Sequence, residues 1–206
     1  MKYLKTFENL KYKGIEQEEF IKIFKEKCKN FSFDNDPLYR GDSEVFDFGL
    51  HEPIERNTRG ITFVDFFVQK EKDTEKYPVV RKESAIGIGG GDVAEMKMCC
   101  SILGSDDDEG FSPVYRVIPF DNSKIVFCSA VDLQTLDYLK KIKSINDEDF
   151  IMIEYTKNFK VPVKKLKEIQ QRLLGTTNYA SKGFEFFMSS PALLINVEKE
   201  NYLKTI

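Results

Sequence analysis

Tryptophan is absent from the 206-residue chain, histidine occurs once (His51), and cysteine occurs four times, at Cys28, Cys99, Cys100 and Cys128. One histidine and no Cys-x-x-Cys pair leave no set of soft ligands at metal spacing, so no metal is expected. Nor do the cysteines form the dense framework that staples small secreted domains, and buried free thiols are expected instead. No apolar run reaches the roughly 20 residues of a membrane helix. The opening MKYLKTFENL has no apolar signal core, so the expectation is a soluble, cytoplasmic protein without a membrane partner. Basic and acidic residues number 31 and 34, for a net charge of −3, and they are scattered along the chain. Without a basic stripe, charge does not point to nucleic acid as a partner.

What is present suffices for a folded core: 41% of residues are apolar and 18 are phenylalanine. Residues 16–30, EQEEFIKIFKEKCKN, place Phe20, Ile23, Phe24 and Cys28 on one helical face. A short strand, Leu38-Tyr39-Arg40, follows Pro37 and is closed by Gly41 and Asp42. The stretch FDFGLHEPIERNTRG reads as a loop or broken helix, and GITFVDFFVQ as a buried element of either type. From Val79 the chain reads as strand to Ile88, glycine turn to Gly91, then a helix capped by Asp92, with Val93, Met96, Cys100 and Leu103 on one face and Gly104 as terminator. Such a turn can cradle a phosphate, but GIGGGD has neither dinucleotide nor P-loop spacing, so a structural turn is expected.

Further on, the acidic SDDDEGFS reads as a solvated loop. Pro113–Phe120 and Ile125–Ala130 read as strands joined by a hairpin turn at residues 121–124. Asp132 heads a helix, Phe150–Tyr155 is a short apolar run, and VPVKKLKEIQQRLLG is a helix that starts after Pro162 and stops at Gly175. The polar loop TTNYASK then leads into Gly183–Val197, GFEFFMSSPALLINV, a strand, a turn and a second strand. Within it Glu185 is surrounded by Phe184, Phe186, Phe187 and Met188. A carboxylate in apolar company needs a cation or a hydrogen-bond donor to meet it. The sum is an α+β chain: residues 1–36 as a helical lead-in, and 37–206 as the domain with which it forms one compact unit.

Three stretches in this order carry a resemblance: PLYRGD (37–42), RKESAIGIGGGDVA (81–94) and GFEFFMSSPALLINVEKE (183–200). The chain resembles the mono-ADP-ribosyltransferase superfamily of the Arg–Ser–Glu class, and within it the phage-encoded branch, to which YRVIPFD and IVFCSAVDL (115–133) are also similar. The resemblance implies a split, twisted β-sandwich with flanking helices, and NAD as a substrate rather than a resident cofactor. It implies transfer of ADP-ribose to a macromolecular acceptor, a host protein before nucleic acid, with release of nicotinamide. Glu185 stands where a carboxylate stabilises the oxocarbenium-like ribose. Arg40 and Gly41 stand at the pyrophosphate, where a forked, permanently charged donor suits the ligand. Arg81 and Ser84 are further NAD-binding candidates on the central strand, and Tyr179 is the exposed aromatic of the acceptor-recognition loop.

Two positions depart from the family pattern. The central-strand hydroxyl that braces the glutamate falls at or near Ile88, leaving Ser84 as the one hydroxyl on the stretch. Two residues before Glu185, where relatives carry the Glu or Gln that handles the acceptor, stands Gly183. An inactive relative that binds a protein or nucleotide is therefore the alternative expectation.

Overall fold

The computed structural model describes residues 12–52, 85–103, 111–128, 147–188 and 190–206. Within these, nine strands pair in antiparallel fashion: β1 (Tyr12–Gly14), β2 (Leu38–Gly41), β3 (Phe48–His51), β4 (Ala85–Gly89), β5 (Val114–Pro119), β6 (Lys124–Cys128), β7 (Phe150–Glu154), β8 (Phe184–Met188) and β9 (Ala192–Asn196). Their spatial order is β1-β3-β9-β5-β2-β4-β8-β6-β7. Three α-helices, α1 (Gln17–Lys27), α2 (Val93–Leu103) and α3 (Val163–Leu174), and short 3-10 segments complete an α+β architecture. No helix among the described residues is long and apolar enough to cross a membrane.

The sheet has a narrow waist. β2 and β4 pair through Leu38↔Gly89 and Tyr39↔Ile88 alone. Beyond the waist β2 continues along β5, through Arg40↔Tyr115 and Gly41↔Val114, while β4 continues along β8 as far as Ala85↔Met188. Two half-sheets, β1-β3-β9-β5-β2 and β4-β8-β6-β7, thus meet at two residue pairs. Gly87 stands at this waist because a Cβ there would lie 2.3 Å from the Tyr39 carbonyl oxygen.

Tight turns cross between the halves, which corrects the hairpin expected at residues 121–124. β5 pairs with β2 and β9, whereas β6 pairs with β7 and β8. The turn's polar groups are spent elsewhere. The Asp121 carboxylate accepts from the Lys29 and Asn30 amides, and the Asn122 amide donates to the Tyr155 carbonyl. Asn122 itself adopts a left-handed φ of 62°. Local turn chemistry sets where the chain reverses; the contacts of the turn set which strand it then joins. The connection from β8 to β9 likewise leads from one half to the other.

One face of the sheet packs Leu38, Val117, Phe127, Phe184, Phe186 and Leu194 against Leu166, Ile169 and Leu173 of α3. On the other face α1 inserts Phe20 among Phe48, Ile118, Leu193, Ile195 and Leu203. There α2 also covers Tyr39, Ile88 and Val114 with Met96 and Cys100. The helix ends follow local chemistry: Asp92 accepts from the Ala94 and Glu95 amides, and Gly175, at φ 72°, closes α3 by donating to the Gln171 carbonyl.

Three expectations change. FGLH, read as loop or broken helix, is the strand β3, because β1 and β9 enclose it from both sides. Val93, expected on the buried face of α2, is 43% exposed, since only the Met96–Cys100 stripe meets the sheet. Tyr12–Gly14, within the helical lead-in, is a strand of the same sheet. The expected buried element at 60–69, the helix after Asp132, the terminator Gly104 and most of the acidic loop lie outside the described residues.

Candidate functional site

Glu185 is the second residue of β8, directly opposite Ile88 of β4 on one side and Cys128 of β6 on the other. Directly opposed residues of an antiparallel pair share a face. Carried across the waist through Ile88↔Tyr39 and Tyr39↔Arg116, the register puts Glu185, Ile88, Tyr39 and Arg116 in one row on the α2 side of the sheet. Glu185 is 9% exposed. Its strand neighbours Phe184 and Phe186 are fully buried on the other face, which fixes the backbone that carries the carboxylate.

Arg40 lies two strands away on β2, and it too is buried. Its Nε and Nη2 both donate to Asp42 Oδ2 at 3.3 Å. Strand alternation places Arg40 with Leu38 and Tyr115, on the face opposite Glu185. The structure therefore brings the β2 and β8 anchors to adjoining positions at the waist, with their side chains leaving the sheet in opposite directions. Gly41 extends β2 beyond the waist, opposite Val114. Ser84 and Arg81 lie outside the described residues. Asp42 was not singled out from sequence, although an acid two residues after a strand arginine falls on the same face and is a natural counter-ion.

The loop before Glu185 is tied down. Residues Ala180–Lys182 form a 3-10 turn, and the Ser181 carbonyl accepts from the Asp92 amide at 2.7 Å. Ser181 Oγ donates to Glu95 Oε2 at 3.3 Å. Gly91 makes this close approach possible, since a Cβ on it would lie 2.4 Å from the Gly183 nitrogen and 2.5 Å from the Ser181 oxygen. The glycine turn thus docks the loop, and Asp92 satisfies the first amides of α2 with its own side chain. That is the structural role expected of it. Tyr179 projects from the loop, 48% exposed, with Lys182 Nζ 6.0 Å from its ring centre.

The chain matches no family model, no curated protein and no solved structure.

Gly183 has a local cause of its own. Its φ of 91° and ψ of −170° lie in a region essentially reserved for glycine. A Cβ there would also meet Ile88 Cγ2 at 2.4 Å and Met96 Sδ at 3.0 Å. A Glu or Gln cannot stand at 183 on this backbone.

Arg116, at the far end of the Glu185 row, was also missed. It is 6% exposed, pairs with the Glu200 carboxylate, and lays its guanidinium 5.0 Å from the Phe31 ring centre. Lys97 of α2 reaches the same carboxylate at 3.5 Å and sits 5.0 Å over the Tyr39 ring. Burial foremost, aided by Glu200 and opposed by Arg116, pushes the Tyr39 phenol up to about 12. Burial likewise raises the Cys28 and Cys100 thiols. No group of three or more His, Cys, Asp or Glu side chains that could hold a metal occurs among the described residues.

Proposed function

We propose that the chain is an NAD-dependent ADP-ribosyltransferase, with Glu185 stabilising the cationic ribose as nicotinamide leaves and a protein as acceptor. One observation carries this reading. Three stretches far apart in sequence, YRG, AIGIG and the Glu185 strand, lie on the successive neighbours β2, β4 and β8. That order, with the two-pair waist between β2 and β4, supports a split sandwich of this class. A carboxylate with little access to water, flanked by apolar side chains, suits charge stabilisation at a developing oxocarbenium ion. With Gly183 in place of an acceptor-handling acid, an arginine acceptor does not fit.

A second reading, a binding module that keeps the fold without turnover, is favoured by one specific feature. Arg40 is engaged by Asp42 and leaves the sheet on the face away from Glu185. On this geometry Arg40 and Glu185 do not line one face of the sheet.

The test is incubation of the wild type and Glu185→Gln with labelled NAD, alone and with cell lysate. The transferase reading expects label on a protein band with the wild type, and nicotinamide release at least about 100-fold slower in the variant. Equal release by both proteins, or none by either together with no NAD-induced shift in Tm, rejects it in favour of the binding module.

A further inference from the structure

Residues 155–182 carry seven lysines and arginines and one acid, Glu168, in a chain that elsewhere has more acids than bases. The structure turns this bias into a surface. α3 buries Leu166, Ile169, Gln170 and Leu173, and the opposite arc of the helix presents Lys164, Lys165, Lys167 and Arg172 to solvent. Arg172 pairs with Asp149, but Lys164, Lys165 and Lys167 form no ion pair among the described residues, nor does exposed Lys157 just before the helix. An open depression of about 510 Å³, lined by Val161, Pro162, Val163, Lys164, Lys165 and Glu168, runs along its first turn.

The glycine turn joins this face to the loop before Glu185. A Cβ on Gly90 would strike Val161 Cγ1 at 2.6 Å and Val163 Cγ2 at 3.1 Å, while that on the adjacent Gly91 would strike Ser181 and Gly183. The lysine-bearing start of α3 and the loop holding Tyr179 and Lys182 therefore sit on two consecutive glycines. The start of α3 and the loop that carries Tyr179 thus rest on neighbouring residues of one turn.

We infer that this face binds a single-stranded nucleic acid, its phosphates held by the α3 lysines and a base stacked on Tyr179. The kind of partner follows from what the face is made of. A protein-binding patch needs an apolar core depleted of charge, whereas the apolar Val161, Pro162 and Val163 of the depression are bordered by Lys164, Lys165 and Glu168. Flexible lysines with a neighbouring aromatic platform are what a phosphate chain with accessible bases uses. The surface does not depend on NAD chemistry and stands or falls apart from it.

The experiment is fluorescence anisotropy with a labelled 20-nucleotide oligouridylate and the full chain, without NAD, over a salt series. The wild type is expected to bind with Kd on the order of 1–100 µM and a log–log salt slope of about −2 to −3. Lys164→Gln/Lys165→Gln/Lys167→Gln should lower the slope by about 2, and Tyr179→Ala should weaken binding about tenfold. Lys22→Gln/Lys25→Gln, on the exposed side of α1, should leave the affinity as it is. No binding, equal loss in the α1 control, or displacement of the RNA by polyglutamate at equal charge concentration overturns the inference, the last in favour of an acidic protein.

Discussion

Gly183→Ala tests the geometry around Glu185 with one added methyl group. Two costs arise from separate causes. An L-residue at φ 91° and ψ −170° is strained by about 1–3 kcal/mol. The new Cβ, 2.4 Å from Ile88 Cγ2, must also displace a side chain only 3% exposed and held in place by α2. Overpacking of that kind adds about 1–3 kcal/mol. The expected loss is therefore about 4 kcal/mol, which in a chain of this size lowers Tm by roughly 8–16 °C at about 2–4 °C per kcal/mol. Urea denaturation followed by circular dichroism, with slopes compared to confirm an unchanged transition, measures it directly. A Tm within 2 °C of the wild type would mean that the backbone at 183 is not held as described. The explanation for glycine at this position would fall with it.

Two further outcomes follow from buried charge. Glu200→Gln leaves Arg116 buried against Phe31 without its carboxylate and should cost about 3 kcal/mol. Arg116→Met should cost less, because Glu200 keeps Lys97 and some water; a urea series on the two variants and the double mutant gives the order, and the reverse order would refute the account. At high pH, Tyr39 and Tyr155 are both held at about 12 by burial, above the unfolded value of about 10. A raised folded pKa contributes stability that is fully present below pH 10 and lost as pH climbs toward 12, since only the unfolded chain ionises in that window. Phenolate absorbance from these two rings should therefore rise together with unfolding; ionisation that precedes loss of circular dichroism would contradict their burial.

Elements whose signal is local were legible in the sequence. The apolar stripe of α1, the Asp92 cap and the Pro162 and Gly175 boundaries of α3 each rest on a few neighbouring residues, and the structure keeps them. β3 was not legible, because FGLH becomes a strand only when residues 192–196 arrive beside it. The partners of β5 and β6 were hidden for the same reason: a tight turn states that the chain reverses, not that its two arms pair. At the candidate site, the phenylalanines around Glu185 did not decide its burial, because Phe184 and Phe186 leave the strand on the other face and Ile88 and Cys128 of the neighbouring strands flank it instead. The face on which Arg40 lies could not be read either, since it depends on register across β4. The lysine face of α3 escaped notice because a whole-chain balance near zero conceals a local excess that only burial of the opposite arc exposes.

The position of β9 has a consequence for how the protein is made. It is the strand that joins β3 to β5, yet it is the last of the nine to leave the ribosome. Until residue 196 has been synthesised, β1 and β3 have, among the described strands, only each other, and a two-stranded ribbon is at best marginally stable alone. Over the same interval the side of β5 meant for β9 stays an open edge. Closure of that half-sheet must therefore wait until residue 196 has emerged. The nascent chain in that interval carries unpaired apolar edges of the kind that recruit chaperones or aggregate.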